Sequence, residues 1–291
     1  MLVELAVGDA YGAGREFADP QLVEATNDGV TYLQHPLHKG LRPGRYTDDT
    51  QMSIGLSEFL LAKQPTTYVM LARYFVWAFK RDPRVGYSQR FYEFLVKVKN
   101  GTDFVQNLVP VSDKSGGAMR AAPCGLMSTI EEAVDLATWQ AALTHASRDG
   151  LAAAQAAAAL VWACRHGCDT GYLGAFLCDV VPGHGWDTPW EGPVSSAGLP
   201  VVKAALAAVM DNTSMLAALK QSIAYTGDVD TVGALAMAAA SVHPAYQQDL
   251  PQVLYDGLEK GEYGRKYLEH LDEALMQRFP LVSEESSEKA P

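Results

Sequence analysis

Apolar residues recur at helical spacing along most of the chain. In "TDDTQMSIGLSEFLLAK", residues 47–63, Met52, Leu56, Phe59 and Leu60 fall close to a 3.6-residue period, Thr47 stands where a cap belongs, and Pro65 follows the end. The pattern predicts a second helix over 67–81, stopped by "DPRVG", and a third over 87–99, ending at "NG". Two more are expected within 139–166, broken at Asp149-Gly150, and others over 199–211, 215–224, 230–243, 250–260 and 263–279. The N-terminal apolar stretch reads as a helix that ends among Gly8, Gly12 and Gly14. Alternation of period two is nearly absent, so strands are not expected. Gly- and Pro-dense loops occupy 26–47, 100–117 and 182–198. No linker and no repeat of fixed period interrupts the pattern. The expectation is one all-α domain over residues 1–281, followed by a polar, acidic tail, 282–291, expected to be disordered.

Composition narrows the function classes. At 48% hydrophobic residues, the 291-residue chain can bury a sizeable core. No apolar run reaches the roughly 18–20 residues of a membrane span; the longest candidate, "LAAAQAAAALVWACRHGC" from Leu151, is interrupted by Gln155, Arg165 and His166. The N-terminus lacks the pattern of a signal peptide, so a cytoplasmic protein without a membrane partner is expected. A net charge of -11 disfavours general nucleic-acid binding. An anionic ligand held by backbone N–H groups or by a metal remains compatible with it. Cys124, Cys164, Cys168 and Cys178 contain no CxxC pair and lie among Ala, Leu and Val, so buried free thiols are expected rather than a zinc site.

Candidate chemistry lies in the acids. Asp48 and Asp49 are adjacent at the mouth of a small-residue helix, fenced by Thr47 and Thr50. Asp228 and Asp230, followed by Thr231, repeat that grammar about 180 residues later. Each motif alone reads equally as helix capping, because acids suit the positive end of the helix dipole. If the two clusters meet in space, their carboxylates repel, and a hard divalent cation such as Mg²⁺ or Mn²⁺ removes that penalty. A third segment, "VGDAYGAGREF", places Asp9 and Glu16 in or beside a tight turn. It follows no strand, which excludes a dinucleotide-fold reading. A fourth, "SDKSGGAMRAAPCG", puts Ser115-Gly116-Gly117 before a short helix, where N–H groups could cradle a phosphate.

In this order the segments resemble the ADP-ribosylglycohydrolase family. The matching residues are Gly8-Asp9, Gly12 and Glu16; Thr47 to Thr50; Gly117 to Gly125; Thr144-His145; and Gly227 to Thr231. The resemblance covers roughly residues 1–245. It implies a compact orthogonal multi-helix fold with a central two-metal cleft, the two Mg²⁺ or Mn²⁺ ions held by Thr47, Asp48 and Asp49 from one side and by Asp228, Asp230 and Thr231 from the other. It places Glu16 near the metals and the ribose as an acid/base or gating carboxylate. With Asp9 it assigns Ser115, Gly116, Gly117 and Met119 to substrate binding, around the diphosphate and ribose. His145 falls near the site, with capping of the next helix as its alternative. Thr226 stands where the family often has Gly, which adds bulk near the ribose.

The implied reaction is removal of ADP-ribose from a modified protein, arginine being the expected side chain and ADP-ribose the product. Metal-bound water would attack the anomeric carbon, with Asp48, Asp49 and Asp228 committed to the metals and Glu16 left to assist the leaving group. Serine-linked, small-molecule or nucleic-acid-linked ADP-ribose, or a non-catalytic binding member, are the alternatives. Loops 26–46 and 182–198 would build the leaving-group pocket, with Trp186 and Trp190 as stacking residues or as loop packing. A monomer is expected.

Overall fold

Two helices far apart in sequence form the buried centre. In the computed structural model, which describes residues 1–35 and 38–281, α1 (Leu2–Ala13) is buried at every position but Glu4, and the helix over Val229–Val242 is buried from Val229 to Ala240. Helices apolar on all sides belong inside a core. The outer helices are α2 (Pro20–Thr26), α3 (Asp48–Leu61), α4 (Tyr68–Arg81), α5 (Gln89–Lys97), α6 (Gly101–Asn107) and α7 (Ile130–Ala142). They are followed by α8 (Arg148–Arg165), α9 (Leu173–Val180), α10 (Gly198–Met210) and α11 (Met215–Ala224). The central Val229–Val242 helix is α12, and α13 (Gln252–Gly257) and α14 (Arg265–Arg278) close the fold. Among the described residues there is no sheet, only four isolated β-bridges. The expected tail, 282–291, lies outside the described residues.

The α1–α12 crossing explains the N-terminal glycines. A Cβ on Gly8 would lie 2.2 Å from the Gly233 carbonyl oxygen, and one on Gly12 would lie 2.4 Å from the Asp230 Cα. Gly8 and Gly12 therefore do not end α1, as the turn reading had it, but let α12 touch its backbone; Gly14 does end it, as the C-cap. Gly8→Ala is expected to cost about 1–3 kcal/mol in denaturant unfolding, the usual scale of overpacking. Gly40→Ala, with nothing within 4 Å of its Cβ, is the near-neutral control.

Around this pair, α8, α10 and α11 pack on α12, and α3 packs on α1. The observed helices follow the expected ones with these corrections. Helix α7 begins at Ile130 because Thr129 and Glu132 form a reciprocal capping box. The break after it falls at 143–147, where Ser147 caps α8, and Gly150 lies inside that helix. A Cβ on Gly150 would sit 2.7 Å from the Ser112 carbonyl oxygen, so this Gly serves a close approach and not a turn. Helices α2, α6 and α9 were not expected; each spans only seven or eight residues, too little for periodicity to register. Among the thiols, Cys124 and Cys164 are buried as expected, whereas Cys168 and Cys178 are half-exposed.

Candidate metal centre and substrate cleft

The N-termini of α3 and α12 converge on the C-terminal half of α1, and their acids meet there. Oxygens of Asp9, Asp49 and Asp230 lie within 4.8 Å of one another, as do those of Glu16, Asp228 and Asp230. Asp9, Asp48, Asp49, Asp228 and Asp230 are all buried. No Lys or Arg hydrogen-bonds to these carboxylates among the described residues; their donors are Thr, Ser and backbone N–H groups. Burial pushes Asp9 and Asp228 up to about 6, opposed in Asp9 by its hydrogen bonds and reinforced in Asp228 by Glu16. Asp48, Asp49 and Asp230 are pushed well above the carboxylate range, by burial first and by neighbouring carboxylates second.

Simple capping does not account for the two motifs. Thr47 occupies the N-cap position of α3, but its hydroxyl caps nothing: it lies 2.9 Å from Asp9 Oδ1 and 3.1 Å from Asp49 Oδ2. Asp9 does the capping from α1, accepting from the N–H groups of Thr47 (2.9 Å) and Thr50 (3.0 Å) and from the Thr50 hydroxyl (2.6 Å). Asp228, the N-cap residue of α12, likewise makes no capping bond and accepts from the hydroxyls of Thr231 (2.9 Å) and Ser115 (3.3 Å). The side chains that would normally serve their own helices face each other instead. Asp9→Asn keeps one acceptor but places an amide against donors, and is expected to cost about 1–3 kcal/mol by thermal unfolding.

The arrangement fits a divalent cation. Asp49 Oδ1 is buried with no hydrogen-bond partner, and such an atom calls for an occupant that a protein donor does not supply. The donor set is carboxylate and hydroxyl oxygen, which suits Mg²⁺ or Mn²⁺ and not zinc.

Three loops wall the cluster. Residues 115–117 form a 3-10 turn themselves, ahead of the expected short helix, which is a second 3-10 turn over Ala122–Leu126; the first turn is tied to the Gly- and Pro-rich loop by Ser115 N–H to Ser196 O (3.0 Å). That loop is tied in turn to the α12 entry, by Val194 N–H to Thr226 O (2.9 Å) and Asp228 N–H to Val194 O (3.0 Å). Arg120, fully buried, braces the turn by donating to Gly116 O (2.8 Å), Gln140 Oε1 (2.6 Å) and the Thr144 hydroxyl (2.7 Å). Met119 is buried beneath it. On the other side, Arg84 donates to the carbonyl of Tyr46, just before Thr47, and pairs with Asp82 and Glu259. It lines a cavity of about 510 Å³ shared with Arg42, Arg45 and Arg81. The acids already hold Arg45, Arg81 and Arg84, so this cavity reads as a brace for the α3 entry.

His145 is not a helix cap; Ser147 is. Its Nδ1 lies 2.6 Å from the Thr144 hydroxyl, whose oxygen accepts from Arg120, so the hydroxyl proton goes to Nδ1 and the ring proton sits on Nε2. Burial, then Arg120, lowers its pKa to about 3. His145 is therefore a neutral N–H donor packed against Gly116, where a Cβ would fall 3.0 Å from Nε2. Trp186 is buried, with its N–H on the Val181 carbonyl (2.7 Å), so it packs its own loop and has no open face for a substrate; Trp190 is half-exposed.

Sequence reasoning missed His35. It is buried and its Nε2 lies 2.9 Å from Glu16 Oε2. The only trace in the sequence is a His within a loop of otherwise ordinary turn residues. Thr226, flagged in the sequence, carries a different cost from the one expected: its φ is +63°, in the left-handed region that disfavours a β-branched residue. Thr226→Gly is expected to stabilise the protein by about 1 kcal/mol, relief of left-handed strain outweighing the added unfolded-chain entropy.

Comparisons with known proteins bear on the family and the fold. The family model described as ADP-ribosylglycohydrolase matches residues 1–285. The chain is 33% identical over 162 residues to ADP-ribosylhydrolase ARH3 of Homo sapiens, covering 50% of this chain and 43% of that protein. It is 32% identical over 156 residues to the ADP-ribosyl-[dinitrogen reductase] glycohydrolase of Rhodospirillum rubrum, covering 48% of each. The matched stretch thus spans about half the length of these curated relatives or less. A solved structure titled ADP-ribosylglycohydrolase-related protein complex shares the fold, with a TM-score of 0.74 at 24% identity over 95% of both chains.

Proposed function

The chain belongs to the ADP-ribosylglycohydrolase family, and from that premise we propose that it hydrolyses the bond joining ADP-ribose to a modified protein side chain, with arginine the preferred attachment. One observation carries this reading: the N-termini of α3 and α12 deliver four buried carboxylates to one place, beside Asp9 and Glu16, and among the described residues no Lys or Arg is bonded to those four. Thr47, Asp48, Asp49, Asp228, Asp230 and Thr231 would hold two Mg²⁺ or Mn²⁺ ions, which when bound would polarise a water and the ribose hydroxyls.

The chain's own residues do the rest. Asp9 fixes Thr47 and Thr50, and through them the register of Asp48 and Asp49. Gly86 lets its loop lie against Asp48, since a Cβ there would fall 1.9 Å from Oδ1. Ser115, Gly116, Gly117 and Met119 form the wall against which the diphosphate and ribose bind, and His145 offers them a neutral N–H donor. Glu16, half-buried at the edge of the cluster, transfers the proton that the leaving nitrogen needs. The choice of arginine follows from charge. Five aspartates, Asp9, Asp48, Asp49, Asp228 and Asp230, exceed the four positive charges of two divalent cations even while Glu16 carries the proton it transfers. That excess favours a guanidinium leaving group over a neutral hydroxyl. The expected partner is an ADP-ribosylated protein, acted on by a monomer, with ADP-ribose as product.

The test compares peptides carrying ADP-ribosyl-arginine and ADP-ribosyl-serine at equal concentration with Mg²⁺ or Mn²⁺. Release at least about tenfold faster from arginine is expected, equivalent to about 1.4 kcal/mol of discrimination. Equal or reversed rates would move the assignment to a hydroxyl linkage.

A further inference from the structure

We propose that His35 is the positioning residue of Glu16, holding its carboxylate turned toward Asp228 and Asp230. The kinetic part of this inference rests on the function proposed above; the geometric part does not.

The hydrogen bonds define the ring. His35 is 2% exposed, and its Nδ1 accepts from the His38 backbone N–H at 3.1 Å. The proton is therefore on Nε2, which donates to Glu16 Oε2 at 2.9 Å. The His38 ring covers the imidazole, with centroids 4.5 Å apart. A second hold acts on the backbone. Phe17, next in the chain, donates its N–H to Gly227 O at 2.9 Å while its φ is +48°. Among the described residues, Phe17 and Thr226 are the two non-glycine residues with positive φ, and they flank this one junction. Strain concentrated where two site segments are tied together is the mark of a position that must be kept.

Such a hold is needed. A glutamate with an oxygen within 4.8 Å of oxygens of both Asp228 and Asp230 is repelled by them, and its side chain has rotamers that lead out to solvent. The Nε2–H of His35 opposes that escape by engaging one oxygen of the carboxylate. Outer partners of this kind orient ligating or reacting carboxylates in metal sites.

His35→Ala, His35→Gln, Glu16→Ala and the His35→Ala/Glu16→Ala double variant test the assignment. Readouts are Mn²⁺ affinity by calorimetry, and kcat and KM for ADP-ribosyl-arginine peptide. His35→Ala is expected to lower kcat and Mn²⁺ affinity about tenfold each, with KM changed less than twofold. His35→Gln, whose amide donates from nearly the same place as Nε2, is expected to restore most of both. In the Glu16→Ala background, His35→Ala is expected to add less than twofold, because it acts only through that carboxylate. Equal losses in both backgrounds, no loss at all, or no recovery with Gln would overturn the proposal. If the unmodified protein neither hydrolyses the peptide nor binds Mn²⁺, the proposed function fails by itself. The crystal structure of the His35→Ala variant then decides the positioning role: a Glu16 carboxylate swung away from Asp228 upholds it, and an unmoved one overturns it.

Discussion

Asp49→Asn is expected to make the metal-free protein more stable while removing its activity. Asp49 is buried among Asp9, Asp48 and Asp228, and one of its oxygens has no hydrogen-bond partner. Its carboxyl is held well above the usual range by burial and then by Asp9 and Asp48, so ionising it in the folded state is costly at neutral pH. Asparagine keeps an acceptor for the Thr47 hydroxyl and carries no charge. The expected gain is about 1–3 kcal/mol in metal-free unfolding, read in denaturant. The same change removes a metal ligand, and hydrolysis is expected to fall by on the order of 10³-fold, the scale on which loss of a transition-state electrostatic element acts. A ligand-site residue whose removal stabilises the empty fold is there for its ligand. If Asp49→Asn instead lowers metal-free stability, the acids serve the helix ends and the metal reading loses its support.

The second large effect is the pH dependence of the metal-free protein. Asp9 and Asp228 titrate at about 6 in the folded state, against 3.8 for an ordinary Asp. Asp48, Asp49 and Asp230 are raised further. Between about pH 4 and pH 6 the folded protein therefore binds more protons than the unfolded chain, and linkage makes stability fall as pH rises through that window. The stability these groups permit is present below about pH 4; the share of Asp9 and Asp228 is lost by about pH 6, and that of Asp48, Asp49 and Asp230 goes on falling above it. With saturating Mn²⁺ the dependence is expected to reverse, because the ion binds the ionised carboxylates and competes with protons. At 100 times its Kd a cation adds about 2.7 kcal/mol. Melting temperatures from pH 5 to pH 8, with chelator and with Mn²⁺, should diverge as pH rises. A metal-free curve that is flat or that climbs would show that the carboxylates do not crowd as the structure has them.

Much of this was legible in the sequence. Asp48, Asp49, Asp228 and Asp230 stood out because paired acids at the mouths of small-residue helices break the apolar pattern. The all-α class followed from periodicity alone, and the long helices near 67–81, 199–211 and 215–224 appear within a residue or two of their expected ends. What stayed hidden depends on contacts across long sequence separations. Asp9 as the cap of α3 is one case, since a cap supplied from another helix leaves no local signature. Gly8, Gly12 and Gly150 are others, each reading as a turn residue but serving a backbone approach. The roles of His35 and of Arg120, which lies within the quoted Gly117 to Gly125 motif, were hidden for the same reason, being defined by Glu16 and by Gly116, Gln140 and Thr144. Trp186 reads as a loop aromatic and is buried, because its indole N–H finds a carbonyl five residues back.

The central claim is that the acid cluster is a metal centre that serves ADP-ribose hydrolysis. Its most direct test measures ADP-ribose released from an ADP-ribosylated protein by the full chain with Mg²⁺, with Mn²⁺ and with chelator, beside Asp228→Ala. Release that requires the cation and disappears in Asp228→Ala is the predicted result. Release that persists in chelator, or that survives in Asp228→Ala, would contradict it.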